Sequence, residues 1–168
     1  MTNGKAVFLD RDGTLIRDKN YLSRAADIEW YADTFPALLL MREKGYRLIL
    51  ITNQSGVGRG FFTMKEVNDV HGAMARDLRD AGVGPFDAVG VCPHAPHENC
   101  ACRKPSPLLV EERLDGLEPA ACWMVGDKEI DAQCGLNAGL HGAVVREKSH
   151  AGPHPYFATL LEFARSLP

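Results

Sequence analysis

The chain has 168 residues, which is the size of one domain and long enough to bury a single core without disulfide staples. Its hydrophobic share of 45% and its charged share of 24% are those of an ordinary globular protein. The formal net charge of -3 gives no long-range attraction to nucleic acid or to an anionic membrane, so we expect neither as a partner. We therefore predict a single domain over residues 1–168 that acts as a monomer.

The N-terminal stretch MTNGKAVFLDRDGT reaches acidic residues after only a short apolar run. It contains neither the core of a signal peptide nor a membrane-spanning helix, so we expect a cytoplasmic protein. Disulfides are unusual in that compartment. The chain has five cysteines, and their clustering beside histidines indicates a metal site rather than a disulfide framework. Cys122 and Cys134 lie outside the cluster and are predicted to be buried thiols.

Short, nearly continuous apolar runs recur along the chain, and polar turns and helical patterns separate them. Such runs are typical of strands that are buried on both faces of a parallel sheet. The predicted strands are residues 6–10, 46–52, 86–92, 122–127 and 142–145. Strands that alternate with helices predict an open, doubly wound α/β fold with a mainly parallel sheet.

The clearest helix signal lies between the second and third predicted strands. Thr63 and Glu66 have the spacing of a capping box, and apolar residues then recur at helical spacing until Gly82. In a doubly wound fold, ligands bind at the carboxyl ends of the strands. The polar residues after the first, second and fourth strands, and the cysteine cluster after the third, are therefore predicted to meet at one rim.

Asp10 ends the first predicted strand and Asp12 lies two residues later in FLDRDGTLI. On extended backbone, carboxylates spaced by one intervening residue project to the same side, so one can attack while the other exchanges a proton. A carboxylate that attacks a phosphoryl group forms an aspartyl-phosphate, which divides one difficult displacement into two easier ones. The alternative is an Asp-rich turn that satisfies the backbone, with Gly13 supplying an unusual dihedral angle.

Two carboxylates beside an anionic substrate need positive charge, which a hard divalent cation such as Mg²⁺ supplies through oxygen ligands. A second acidic segment, VGDKEID, places Asp127 at the end of the fourth strand and Asp131 on the first turn of the following helix. Both side chains can face the rim. A helix N-terminus with an acidic first turn gives the same pattern, and the segment alone does not decide between the two interpretations.

Groups that can hold a phosphate follow the second strand in ITNQSGVGRG. Thr52 offers a hydroxyl group at the strand end, and polar residues then lead into a glycine-rich turn whose backbone N–H groups can face an anion. The Gly-Lys-Ser/Thr signature of a P-loop is absent. Arg103 and Lys104 can add the fixed positive charge that phosphoryl transfer requires. The alternatives are an ordinary polar turn and a solvated pair of basic residues.

The segment CPHAPHENCACRKP combines three of the five cysteines with two of the six histidines. Four such ligands suit tetrahedral Zn²⁺, and a complete set leaves no open position for a catalytic water. We therefore interpret the segment as a clip that fixes the loop of Arg103 and Lys104, rather than as a catalytic metal centre. Spacing alone does not choose between His94 and His97. A reduced thiol cluster without metal is the alternative.

Taken in order, these segments resemble the motifs of the haloacid dehalogenase (HAD) superfamily of aspartate-nucleophile phosphatases. DRDGT is similar to the first motif, Thr52 to the second, Lys104 to the basic third and GDKEID to the acidic fourth. TNQSGVGRGFF, CPHAPHENCACRKP and VGDKEIDAQCGLNAG narrow the resemblance to the histidinol-phosphate and heptose-bisphosphate phosphatases, most closely to the heptose branch. Leu108 departs from that branch, whose members tend to continue the Arg-Lys-Pro element with a Pro-Gly pair.

The resemblance implies a role for each matching residue. Asp10 is implied as the nucleophile and Asp12 as the general acid and base, while Thr52 and Lys104 stabilise the transferred phosphoryl group. Mg²⁺ is implied at Asp10, the backbone carbonyl of Asp12 and Asp127. The implied Zn²⁺ ligands are Cys92, His94, Cys100 and Cys102. The implied substrate-binding residues are Asp18, Lys19, Asn20, Tyr21, Asn53, Gln54, Ser55, Arg103 and Lys128.

The resemblance further implies a HAD-like Rossmannoid fold without a separate cap domain, open to a small phosphorylated metabolite. The expected reaction is Mg²⁺-dependent removal of the C7 phosphate of a heptose 1,7-bisphosphate through an aspartyl-phosphate. Histidinol phosphate is an alternative substrate, because its phosphatases share the catalytic motifs and the zinc loop. A phosphoacceptor signalling domain is a third interpretation, since receiver domains also place acidic residues and a lysine on a parallel sheet. SGVGRG and the lysine of GDK favour the sugar phosphatase.

Overall fold

The computed structural model describes residues 4–147 and 151–168, which form a six-stranded sheet in which the paired strands are parallel. The strands are β1 (Lys5–Leu9), β2 (Tyr46–Asn53), β3 (Ala88–Cys92), β4 (Trp123–Gly126), β5 (His141–Val145) and β6 (Tyr156–Phe157). Their spatial order is β3-β2-β1-β4-β5-β6, so β1 and β4 lie at the centre. The prediction of a doubly wound α/β fold with a parallel sheet is confirmed.

The helices of the described residues are α1 (Thr34–Glu43), α2 (Ser55–Gly58), α3 (Met64–Asp80), α4 (Leu108–Glu111), α5 (Glu129–Asn137) and α6 (Leu160–Ser166). Helix α3 begins as predicted. The Thr63 hydroxyl accepts a hydrogen bond from the Glu66 backbone N–H, and the Glu66 carboxylate accepts one from the Thr63 backbone N–H. The helix ends at Asp80, two residues before Gly82.

Both faces of the sheet are covered, which explains why the strands are apolar almost throughout. Alternate residues of β1 enter opposite apolar clusters, because successive side chains of a strand point to opposite faces. Val7 and Leu9 pack with residues of α1, α3 and α6, whereas Ala6 and Phe8 pack with residues of α4 and α5. The site-bearing ends of β1 and β4 are therefore held on a rigid central layer.

The connection between β1 and β2 contains α1 and a short 3₁₀ turn, Ala25–Asp27, and confirms a fold without a separate cap domain. Strand β3 begins two residues later than predicted, since Asp87 forms a turn whose carboxylate accepts from the Leu48 N–H. Strand β6 and helix α6 were not predicted. Strand β6 has only two residues and so gives no apolar run, but Thr159 and Glu162 do carry a cap signal for α6.

Among the described residues, no helix combines the length and the apolar composition that crossing a bilayer requires. Cytoplasmic location, a monomeric state and the assignment of residues 1–168 to one domain stay predictions from the sequence.

Candidate active site

The carboxyl ends of four neighbouring strands bring the predicted catalytic residues together. Asp10 directly follows β1, Thr52 and Asn53 end β2, Cys92 ends β3 and Asp127 directly follows β4. Because these strands are parallel, their ends lie at one edge of the sheet. A cavity of about 250 Å³ opens at this edge. The predicted convergence of polar strand ends on one rim is confirmed.

Most of the predicted site residues line this cavity. They are Asp10, Asp12, Asp18, Asn20, Tyr21, Asn53, Gln54, Ser55, Arg103, Lys104 and Lys128. Thr52 is buried beneath the lining, and Asp127 lies at its side, facing a neighbouring groove. The structure does not bring Lys19 to the cavity, because its ammonium group binds the Glu29 carboxylate on the exposed surface.

The ammonium group of Lys104 lies between two buried carboxylates. Its Nζ is 2.7 Å from Asp10 Oδ1 and 2.7 Å from Asp131 Oδ1, and it donates to the Ile51 carbonyl at 2.9 Å. Lys104 is only 3% exposed. Burial by itself would lower the pKa of Lys104, but the charges of Asp10 and Asp131 outweigh it and raise the pKa above its ordinary value. Lys104 therefore remains a cation beside Asp10.

The sequence left open whether Asp131 faces the cavity or stabilises the first turn of a helix, and its two carboxylate oxygens do one each. One carboxylate oxygen pairs with Lys104, and the other accepts a hydrogen bond from the Lys128 backbone N–H at 3.1 Å, at the start of α5. The Asp127 carboxylate instead faces the turn after β1, which contains Gly13. Gly13 has a φ of 81° and permits the approach, since a Cβ there would collide with the Asp127 carboxylate. Gly13 is therefore required for both its dihedral angle and its small size.

The acidic side of the cavity carries more negative than positive charge. Carboxylate oxygens of Asp10, Asp127 and Asp131 lie within 4.8 Å of one another, with Lys104 as the adjacent ammonium group. Burial raises the pKa of Asp10 to about 8, with Asp131 and Asp127 adding to the effect against the opposing charge of Lys104. Burial and the Asp131 charge raise the pKa of Asp127 to about 6. A bound cation would relieve this repulsion.

Arg11, which the sequence analysis missed, lies between the two predicted catalytic aspartates. It is 1% exposed, and its guanidinium group donates to the two Asp12 carboxylate oxygens at 2.9 and 3.1 Å. A bidentate pair of this kind fixes the orientation of a carboxylate as well as its position. The sequence did contain a signal for this role, because Arg11 stands between two aspartates at the end of a buried strand. Arg11 therefore holds Asp12 at the cavity.

Gln54 connects this pair to β2. Its Nε2 donates to Asp12 Oδ2 at 2.9 Å and to the Thr52 hydroxyl at 2.8 Å, while its Oε1 accepts from Arg11 at 3.1 Å. His71, another residue that the sequence analysis missed, lies 3.2 Å from the Arg11 guanidinium. Burial and the Arg11 charge lower the pKa of His71 to about 4, so its neutral ring can accept from Arg11.

Four Cys and His side chains meet beside the cavity. The Sγ atom of Cys100 is 3.6 Å from that of Cys92 and 3.8 Å from that of Cys102, and His94 Nδ1 is 3.7 and 3.3 Å from the Sγ atoms of Cys92 and Cys102. Tetrahedral Zn²⁺ with bonds of about 2.3 Å separates its ligands by about 3.8 Å, so the four atoms fit such a site. His97 is exposed and lies outside this group.

The loop that follows the Cys/His group is tied to the rest of the fold by side chains. Asn53 Oδ1 accepts from the Lys104 backbone N–H at 3.1 Å, and Asn137 Nδ2 donates to the Pro105 carbonyl at 2.9 Å. The Cys134 thiol donates to the Ser106 carbonyl at 3.2 Å, and both Cys134 and Cys122 are buried thiols, as predicted. These contacts fix the backbone from which Lys104 reaches the cavity.

Comparison with known proteins agrees with this geometry. A family model described as HAD-hydrolase-like matches residues 101–155. A D-glycero-beta-D-manno-heptose-1,7-bisphosphate 7-phosphatase of Helicobacter pylori is 43% identical over 143 residues, which cover 82% of this chain and 81% of that protein. The chain belongs to the HAD-like hydrolase family.

Further members extend the match to nearly the whole of this HAD-like hydrolase. A D-glycero-alpha-D-manno-heptose-1,7-bisphosphate 7-phosphatase of Photorhabdus laumondii is 32% identical over 160 residues, covering 90% of this chain and 87% of that protein. The crystal structure of D,D-heptose 1,7-bisphosphate phosphatase from B. bronchiseptica, complexed with magnesium and phosphate, has a TM-score of 0.85. It is 28% identical, and the match covers 96% of each chain. The resemblance that the motifs indicated is confirmed.

We predict that, without a divalent cation, the contribution of Asp10 and Asp127 to the stability of this HAD-like hydrolase falls as the pH rises from about 4 to about 8. The pKa values of Asp10 and Asp127 are raised above the ordinary value of 3.8, so in this window these two groups bind more protons in the folded protein than in the unfolded chain. The free energy of unfolding that these two groups contribute is therefore present at low pH and is lost as the pH rises through their raised pKa values.

Thermal denaturation in magnesium-free buffers across this pH range measures the effect. Asp10→Asn is the matched variant, because it removes the group with the larger shift, and its melting temperature should depend less on pH than that of the unsubstituted protein. An equal pH dependence in the two proteins would contradict the account.

Proposed function

We propose that this enzyme is a Mg²⁺-dependent phosphatase that removes the C7 phosphate of D-glycero-D-manno-heptose 1,7-bisphosphate. One observation carries the proposal: Lys104 Nζ lies 2.7 Å from Asp10 Oδ1 at the base of a polar cavity. A nucleophilic carboxylate with a fixed cation beside it suits attack on a phosphoryl group. The relatives named as heptose-bisphosphate phosphatases match most of the chain, and they support the choice of substrate.

The first half of the reaction transfers the phosphoryl group to Asp10. Since Oδ1 is paired with Lys104, Oδ2 is the oxygen left to attack phosphorus. The new Oδ2–P bond forms as the bond between phosphorus and the C7 oxygen breaks, and Asp12 donates a proton to that departing oxygen. The Lys104 cation offsets negative charge on the transferred group, and the Thr52 hydroxyl is assigned as a hydrogen-bond donor to it.

The second half regenerates the enzyme. Asp12, now a carboxylate, accepts a proton from water while the water oxygen attacks phosphorus, and the Asp10 carboxylate leaves as inorganic phosphate forms. Arg11 and Gln54 keep Asp12 directed to the cavity during both steps. A positioned acid and base two residues from the nucleophile favours turnover and disfavours a phosphoacceptor domain that stores the phosphoryl group.

The acidic residues fit Mg²⁺. Asp127 Oδ1 is a buried oxygen that lacks a hydrogen-bond partner among the described residues, and it lies in a set of carboxylate oxygens of the kind that hard cations prefer. We assign the ion to Asp10, the Asp12 backbone carbonyl and Asp127. When bound there, Mg²⁺ neutralises charge on the phosphate oxygens and orients them. The B. bronchiseptica phosphatase was crystallised with magnesium and phosphate, which supports the assignment.

The other cavity residues are proposed to hold the part of the substrate that is not cleaved. Arg103 Nη1 is buried and lacks a hydrogen-bond partner among the described residues, and Arg103 and Lys128 both line the cavity. We assign these two cations to the C1 phosphate. The sugar hydroxyl groups are assigned to polar side chains of the loop after β1 and of the junction between β2 and α2, namely Asp18, Asn20, Tyr21, Asn53, Gln54 and Ser55.

The Cys/His group is proposed to bind Zn²⁺ as a structural ion. Thiolate and imidazole ligands suit the borderline-soft Zn²⁺, whereas the carboxylates suit Mg²⁺, so ligand type should sort the two metals. All four positions are filled by Cys92, His94, Cys100 and Cys102, so the ion would hold the loop that ends in Arg103 and Lys104.

Phosphate release from heptose 1,7-bisphosphate and from histidinol phosphate tests the proposed function. We expect a higher kcat/KM for the heptose, with a product that retains its C1 phosphate. Asp10→Asn should lower turnover by roughly 10³-fold or more because it removes the nucleophile, and Asp12→Asn by roughly 10²- to 10⁴-fold because it removes the acid and base. Asp69→Asn, on the exposed face of α3, is the matched control and should be fully active.

A higher kcat/KM for histidinol phosphate would replace the substrate assignment, while near-normal turnover by Asp10→Asn would exclude the covalent mechanism.

We predict about one zinc per chain, as a closed four-ligand site requires. Cys102→Ser should lose zinc and thermal stability and should reduce kcat/KM by displacing Lys104, although by less than Asp10→Asn. His97→Ala should keep its zinc, because His97 lies outside the ligand group. Elemental analysis measures the zinc content of both variants. Full zinc retention in Cys102→Ser, or zinc loss in His97→Ala, would show that the ligand assignment is wrong.

A further inference from the structure

An apolar group lies at the mouth of the otherwise polar cavity. Among residues 4–147 and 151–168, seven large hydrophobic side chains are exposed, and three of them belong to this mouth. Tyr21 and Ile130 line the cavity, and Phe61 packs against Tyr21. Single exposed apolar side chains are scattered over most protein surfaces, whereas a group of them beside a cavity is typical of a surface that binds a ligand.

Tyr21 is presented by a loop in an unusual backbone conformation. Asn20 and Tyr21 have φ values of 51° and 69°, in the left-handed region that residues with a Cβ seldom adopt. The Asp18 carboxylate accepts from the Asn20 N–H at 2.9 Å, and the next side chain, Leu22, is buried. Conformations of this kind persist only where surrounding contacts determine them. The backbone that carries Tyr21 is therefore held in place by contacts within the loop.

Phe61 supplies the contact from a second loop. The rings of Phe61 and Tyr21 meet edge to face, with centroids 4.8 Å apart and planes at 80°. Phe61 itself is 60% exposed, so its contact with Tyr21 is not a by-product of core packing. The neighbouring Phe62 is buried and packs on Gly56 of α2, where a Cβ would collide with its ring. Phe61 thus projects from an anchored turn.

We propose that Phe61 is a positioning residue: it holds the Tyr21 ring as an apolar wall that packs against the carbon skeleton of the sugar phosphate. The proposal rests on the proposed function and assigns one part of the same site. The proposed function assigns the phosphates to Lys104, Arg103 and Lys128, so the aromatic wall is left to contact the organic part of the substrate. Its effect should therefore appear in substrate binding and not in phosphoryl transfer.

Steady-state kinetics of the Phe61→Ala variant tests whether Phe61 affects substrate binding without affecting phosphoryl transfer. The KM for heptose 1,7-bisphosphate should rise about three- to tenfold, in keeping with the loss of one aromatic pair, while kcat stays within about twofold. The inhibition constant of inorganic phosphate, which has no carbon skeleton, should be unchanged. Phe61→Tyr keeps the ring and should restore KM. Leu39→Ala, an exposed apolar side chain on α1, is the matched control and should change neither constant.

Hydrogen–deuterium exchange of residues 17–24 separates this inference from the proposed function, because it needs no substrate. Exchange should increase in Phe61→Ala and return to its original level in Phe61→Tyr. If it does so in a protein that fails to hydrolyse the heptose bisphosphate, the substrate assignment fails and the positioning role stands. Unchanged exchange in Phe61→Ala, or an equal rise in KM and in the phosphate inhibition constant, would overturn the positioning role.

Discussion

The candidate site depends on one buried ammonium group, Lys104 Nζ, which joins three elements of the fold. Asp10 follows β1, Asp131 belongs to α5 and the Ile51 carbonyl belongs to β2, and all three contact this nitrogen. Removing one partner from a buried ion pair typically costs about 3–5 kcal/mol, because the remaining charge is left without water or a counterion. The interaction therefore constrains where the nucleophile, the helix and the loop can lie relative to one another.

The remaining features of the site follow from the need to hold that lysine and to balance the surrounding carboxylates. Lys104 lies on a loop, where the position of a side chain is less fixed than on a strand. The Cys/His group ends at Cys102, two residues before Lys104. Side chains of β2 and α5, Asn53 and Asn137, bind the backbone on either side of Lys104. Burial is the main cause of the raised pKa values of Asp10 and Asp127, and the charge of Asp131 raises both further against the opposing charge of Lys104.

The sequence predicted the fold and most of the cavity lining because both depend on local patterns: apolar strands, a capping box and polar residues at strand ends. It did not predict interactions between segments that lie far apart in the chain. The pairing of Asp131 with Lys104, the contact of Arg11 with His71 and the packing of Phe61 on Tyr21 all arise only when the sheet brings those segments together. The sequence also placed Lys19 among the substrate-binding residues, because its neighbours Asp18 and Asn20 belong to the same segment. Those neighbours line the cavity, but the Lys19 side chain binds Glu29 instead.

Because Asp131 binds the Lys104 ammonium group, we expect Asp131 to affect phosphoryl transfer through Lys104, and the Asp131→Asn variant tests this. The substitution preserves the shape of the side chain and removes one of the two carboxylate charges that hold the Lys104 ammonium group. We predict a loss of roughly 10²-fold in kcat/KM for heptose 1,7-bisphosphate, because Lys104 would no longer be held where it stabilises transition-state charge. Circular dichroism and zinc content should be unchanged. A folded Asp131→Asn protein with the original kcat/KM would show that the reaction does not depend on the contact of Asp131 with Lys104.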